Sequence, residues 1–157
     1  MKTALVDTGS TDLMNRLRAH PFLKGMNESH LLALVDCAMP CSFVAGQKIF
    51  AEGDVANRFY LLESGEVTLF SEGSPHEHVP VQTLAAGDVL GWSWLFPPYY
   101  WHFSAEAKTQ VDAIFFYGTR LRERCEQDPA LGYEIMKRVT EIVIARLQKT
   151  RQQFLKT

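Results

Sequence analysis

Phe43-Val44-Ala45-Gly46-Gln47-Lys48-Ile49-Phe50-Ala51-Glu52-Gly53-Asp54, followed shortly by Phe59-Tyr60-Leu61-Leu62-Glu63-Ser64-Gly65-Glu66-Val67, is where the chain changes pattern. Apolar runs too short for helices alternate here with turn residues. The series continues through Val67-Thr68-Leu69-Phe70 and Val79-Pro80-Val81, broken at Gly46, Gly53-Asp54, Ser64-Gly65, Gly73-Ser74-Pro75 and Gly87-Asp88. Many short strands at such spacing predict an antiparallel sandwich or roll over about residues 42–116. Its last strand reads Val111-Asp112-Ala113-Ile114-Phe115-Phe116, where alternation fades because both faces are covered. Gly46, Gly53, Gly65 and Gly87 fall where a roll reverses tightly, and Asp54 and Asp88 suit bonds to the turn amides.

Helical signals flank this region. Leu13, Leu17 and Phe22 predict a short helix interrupted by Pro21, and Asn27 is a good N-cap for a second helix that carries Leu31, Leu32, Leu34 and Val35 and stops before Pro40. Downstream, Gly118-Thr119 starts a short helix to about Gln127. Asp128-Pro129 then opens a last helix running to the chain end. Its apolar set, Leu131, Ile135, Met136, Val139, Ile142, Val143 and Leu147, covers more than one face. That width predicts the roll on one side and a second copy on the other, so a homodimer through 129–157; the alternative is that one monomer satisfies both faces. Lys149, Arg151 and Lys156 suit the C-terminal end of a helix dipole.

With 157 residues, 46% hydrophobic and 22% charged, the chain predicts one domain over 1–157. A net charge of −2 argues against a dominant nucleic-acid footprint, leaving small molecules or proteins as partners. The apolar run in Met1–Asp7 is too short for a signal-peptide core or a membrane span, which predicts a cytoplasmic protein without membrane attachment. Cys37, Cys41 and Cys125 are an odd set best read as reduced thiols, and a redox role for them is left open.

The stretches Phe43–Asp54, Phe59–Val67 and Leu84-Ala85-Ala86-Gly87-Asp88-Val89-Leu90-Gly91 resemble, in order, the opening strands, the next hairpin and the approach to the ligand cassette of the cyclic-nucleotide-binding family. That family includes catabolite-activator-type regulators and regulatory subunits of nucleotide-dependent kinases. The resemblance spans roughly 20–150. It implies an α+β, mainly β, fold: an antiparallel double-stranded β-helix (jelly-roll) with N-terminal helices and a long C-terminal helix. It also implies a cyclic nucleotide as the ligand to consider, with no cofactor assigned.

In that family a short helix after the Gly-Asp turn offers its amides to a cyclic phosphate, an acid holds the ribose and an arginine neutralises the phosphate. The corresponding segment here is Gly91-Trp92-Ser93-Trp94-Leu95-Phe96-Pro97-Pro98-Tyr99-Tyr100-Trp101-His102-Phe103-Ser104. Gly91 and Ser104 match; Trp92 stands at the acid's place and Trp101 at the arginine's. A charge-assisted hydrogen bond contributes about 1.5–3 kcal/mol, so losing both anchors weakens a cyclic nucleotide by roughly two to four powers of ten. Seven of the twelve residues from Trp92 to Phe103 are aromatic, and all three tryptophans lie there. They form either a platform that stacks a planar ligand or a plug that fills the pocket. His102 is a weak, pH-dependent anion donor. The candidate ligand residues are therefore Gly91, Trp92, Ser93, Trp94, Trp101, His102, Phe103 and Ser104.

His76-Glu77-His78 lacks the following carboxylate of cupin metal sites, Cys37-x-x-x-Cys41 has neither redox nor iron–sulfur spacing, and no haem-attachment spacing occurs. Gly-x-Ser-x-Gly and phosphate-loop signatures are missing too, so no catalytic residue or metal ligand is assigned. Helix-turn-helix regulators of this family place their DNA-reading domain after the long helix, and Thr157 falls where it would begin. The expectation is a regulatory, non-enzymatic module without direct DNA binding. It would sense a small anionic or nucleotide-like ligand and signal through movement of the helices at 119–127 and 129–157. The alternatives are a ligand-free dimerisation or protein-interaction module with a self-filled pocket, or a metal- or haem-dependent protein on a cupin-like roll.

Overall fold

Eight antiparallel strands fold into two four-stranded sheets, ordered β1-β8-β3-β6 and β2-β7-β4-β5. The strands are β1 (Ala38–Phe43), β2 (Lys48–Phe50), β3 (Arg58–Ser64), β4 (Val67–Ser74), β5 (Glu77–Leu84), β6 (Val89–Leu90), β7 (Ser104–Ala107) and β8 (Val111–Tyr117). The computed structural model describes residues 12–74 and 77–156. The turn expected at Pro75 and the residue His76 lie outside the described residues, as does the side chain of His78. Contacts divide the chain into two units, Met1–Leu121 and Arg122–Thr157.

In the first unit the roll forms because alternate residues of each strand turn inward. Tyr60, Leu62, Val67, Leu69, Leu84, Leu90, Ala105, Ala107, Val111, Ala113 and Phe115 meet in one buried cluster between the sheets. The opposite face of the first sheet presents Phe59, Leu61, Ile114 and Phe116, all buried. There Phe59 packs edge-on against Phe22, with ring centroids 5.4 Å apart. Phe22 belongs to a single 3-10 turn, Pro21–Leu23, that follows α1 (residues 12–19). Arg16 of α1 makes a hydrogen-bonded ion pair with Glu63 of β3.

The expected local signals are realised. Asn27 caps α2 (Glu28–Val35), its Oδ1 accepting the His30 N–H at 2.9 Å. Gly46, Gly53, Gly65 and Gly87 all take positive φ. Asp88 Oδ2 accepts the Ala85 N–H at 2.8 Å, whereas Asp54 acts through its backbone, its carbonyl accepting the Trp101 N–H at 2.9 Å. One boundary differs. The roll begins at Ala38 rather than near 42 and ends at Tyr117, so Pro40 lies inside β1, paired with Ile114. β1 is an edge strand, where a residue without an N–H leaves no ladder bond unmade.

The first turn of α3 (Gly118–Gln127) belongs to the first unit, and the Gly118 N–H donates to the Asn57 carbonyl at 2.8 Å. The second unit holds the rest of α3 and α4 (Pro129–Lys156), whose 28 residues span about 42 Å. Asp128 caps α4, Oδ1 accepting the Leu131 N–H at 3.4 Å, with Pro129 at its first position. Leu131, Ile135 and Val139 are buried, while Tyr133, Met136, Ile144, Leu147, Phe154 and Leu155 are exposed. Among the described residues no helix is long and apolar enough to cross a membrane.

Candidate functional site

The segment between β6 and β7 is held in place mainly by backbone. Trp101 exchanges two hydrogen bonds with the 51–54 turn, its N–H donating to Asp54 O and its carbonyl accepting from Gly53 N–H, each at 2.9 Å. Ala56 N–H donates to Tyr99 O at 2.7 Å, and Val55 pairs with Tyr100 in an isolated bridge. Tyr99 takes φ +62°, a left-handed conformation that costs an aromatic residue about 1–3 kcal/mol and is sustained here by bonds on both sides. Ser104 is fully buried and its Oγ accepts the Glu52 N–H at 2.9 Å, tying β7 to the same turn.

The Trp101 indole does not project into solvent. It is 5% exposed and lies flat on the Phe50 ring, with centroids 3.9 Å apart and planes 10° apart. Phe50 in turn stacks on Tyr60 of the roll interior at 6.4 Å. Gly91 makes this fit possible. It adopts φ +83°, and a Cβ placed on it would stand 2.5 Å from Trp101 Cζ3. Burial raises the pKa of the Tyr60 hydroxyl above its ordinary value despite nearby Arg58. It pushes the Cys41 thiol to about 11, which leaves that sulfur protonated and a poor nucleophile at neutral pH.

Trp94 occupies a different place. It is fully buried, with its ring 5.5 Å from that of Phe59. Phe59 and Tyr60 are consecutive on β3 and so point to opposite faces, which puts Trp94 and Trp101 on opposite sides of that sheet. Trp94 Cβ also lies 3.1 Å from where a Cβ on Gly118 would stand, so the start of α3 fits closely against it. The expected short helix is one 3-10 turn, Ser93–Leu95, entered from Trp92 without a side-chain cap. Ser93 is buried, Trp92 and Phe103 are half-buried, and His102, Phe96 and Tyr100 are exposed. Of the eight candidates, the structure brings Gly91 and Trp101 together and sets Trp94 apart from them.

The cyclic nucleotide-binding domain model matches residues 40–128, more than half of the chain. The chain belongs to this family. It is 26% identical over 127 residues to the CRP-like cAMP-activated global transcriptional regulator of Mycobacterium tuberculosis, covering 81% of this chain and 55% of that one. With the cAMP-dependent protein kinase regulatory subunit of Emericella nidulans it shares 35% identity over 91 residues, 58% of this chain and 21% of that protein. The chain therefore spans about half and about a fifth of these two relatives. A crystal structure of a cyclic nucleotide-binding protein from Geobacter metallireducens GS-15 superimposes with TM-score 0.77 at 33% identity, covering 85% of this chain and 96% of that one.

Sequence reasoning missed two participants. Phe50 reads only as a strand residue and Gly118 only as a helix start. The Trp101–Phe50 contact joins residues distant in sequence and leaves no local mark.

Proposed function

We propose that this cyclic nucleotide-binding family domain is a regulatory module whose aromatic cassette senses a planar ligand, Trp101 acting as a displaceable gate. The observation that carries this reading is the Trp101–Phe50 stack beside Gly91; by the sequence resemblance this indole would stand where the family places its phosphate-binding arginine. A ligand entering here exchanges one stacking partner for another. Because the closed stack must open first, apparent affinity is reduced by the fraction of molecules that are open. Output would pass from the 3-10 turn at Trp94 to the closely fitted Gly118 and so to α3. α4 would serve a homodimer, because its exposed Met136, Leu147 and Phe154 form an apolar stripe apart from the buried one. The role proposed is regulatory rather than catalytic.

The near-complete burial of Trp94 and Trp101 favours a second reading, in which the stack never opens and the domain is a ligand-free interaction module. Titrating tryptophan emission with cyclic AMP, cyclic GMP and cyclic di-GMP separates the two. A saturable emission change with a raised melting temperature supports the gate; no change at about millimolar ligand, where even weak sites fill, supports the second reading.

A further inference from the structure

Register fixes which side chains share the inner face of the first sheet. Arg58, Tyr60 and Leu62 of β3 lie opposite Tyr117, Phe115 and Ala113 of β8, and Met39, Cys41 and Phe43 of β1 lie opposite Phe115, Ala113 and Val111. Tyr60, Leu62, Phe115, Ala113 and Val111 belong to the roll's buried cluster. Arg58 and Tyr117 therefore continue that face to the rim, where both are exposed. Among the described residues Arg58 is the one charged side chain on this face. Its guanidinium carbon sits 4.2 Å above the Phe115 ring, and the guanidinium donates to the Tyr60 hydroxyl oxygen.

Of the unit's other arginines, Arg16 pairs with Glu63 and Arg18 with Glu28, while Arg120 donates to the Asp36 carbonyl and stands over the Tyr117 ring. Arg58 has no carboxylate within ion-pair distance among the described residues, so a full positive charge rests on an aromatic surface with donors to spare. That surface is continuous with the gate, since Phe115 lies 6.2 Å from Tyr60, Tyr60 stacks on Phe50, and Phe50 on Trp101.

We infer that Arg58 is the anion anchor of the ligand site, so that the ligand is a planar ring bearing a phosphate, its charge held from the sheet rather than from the cassette. The inference rests on the reading above that the domain binds a planar ligand. Arg58 offers a planar fork of donors suited to phosphate oxygens; Phe115 and Tyr60 beside it are buried, so the flat part of the ligand is taken at the gate, on Phe50 where Trp101 swings away.

The test uses the whole chain, wild type and Arg58→Gln, titrated with cyclic AMP and with adenosine, which keeps the ring but lacks the phosphate. Tryptophan emission and the Arg58 Nε–H resonance are followed together. The expected result is that wild type prefers cyclic AMP by about 10- to 100-fold, with the Arg58 resonance shifting at saturation. Arg58→Gln, folded by its melting curve, should bind the two alike. If emission responds but the variant keeps the preference, the anchor is wrong and the gate stands. If the Arg58 resonance shifts while emission stays flat, the anchor stands and the gate falls. Silence of both signals toward both probes overturns both.

Discussion

The indole of Trp101 lies parallel to the ring of Phe50 at 3.9 Å, closed over the bare Cα of Gly91. Two rings about fifty residues apart in sequence thus meet over a glycine. The space left by a missing Cβ is as much a part of the contact as the rings are.

Gly91→Ala should open that contact. The added methyl meets the indole and also forces a side chain into φ +83°. Together these cost about 1–3 kcal/mol. A lowered urea midpoint with red-shifted emission is expected; unchanged emission would show that the indole does not rest on this glycine.

Phe50→Leu and Trp101→Leu should be coupled. Parallel ring pairs contribute about 0.5–1.5 kcal/mol beyond the area they bury, so a double-mutant cycle by chemical denaturation should return an interaction energy in that range. Strict additivity would dissolve the pair as an energetic unit.

His20 should make stability depend on pH. Its Nδ1 accepts the Phe22 N–H at 3.2 Å and its Nε2–H donates to Leu62 O at 2.9 Å, a pattern that only the neutral ring supports. Burial lowers its pKa from the ordinary 6.5, against opposing contributions from the Leu62 carbonyl, Glu63 and Asp88. Between the lowered value and 6.5 the unfolded chain takes up a proton that the folded chain refuses. The contribution is therefore intact above 6.5 and declines as pH falls through that window. The urea midpoint should drop between about pH 7 and about pH 5, and less steeply in His20→Gln. Equal slopes would remove His20 as the cause.

The α4 stripe should mediate self-association. Leu147 is 67% and Phe154 79% exposed, large apolar areas to leave in water. Sedimentation at about micromolar concentration should show a dimer that Leu147→Glu converts to monomer. A monomeric wild type would assign the stripe to another occupant.

Local chemistry made the fold legible. Asn27 caps a helix in any context, the Asp128-Pro129 pair opens one, and the glycines at 46, 53, 65 and 87 mark reversals that other residues resist. Pro40 concealed the first strand, because a proline argues against a strand until that strand is known to be an edge. The site was legible as a segment but not as a shape. Seven aromatics in twelve residues announce a special loop, yet nothing in their order says that Trp94 goes to one face of the sheet and Trp101 to the other. That division depends on Phe59 and Tyr60, and on which of them each indole meets once the chain has closed. His20 was hidden for the same reason, since its partner Leu62 is 42 residues away.

The most direct test is fluorine NMR of the chain labelled with 5-fluorotryptophan, three indoles assigned by single substitution, titrated with cyclic AMP. The gate predicts that the Trp101 resonance moves to an exposed, ligand-dependent position, with a smaller shift at Trp94 as its 3-10 turn passes the change to Gly118. A Trp101 resonance unmoved while another indole reports saturable binding, or three resonances unmoved at about millimolar ligand, would contradict it.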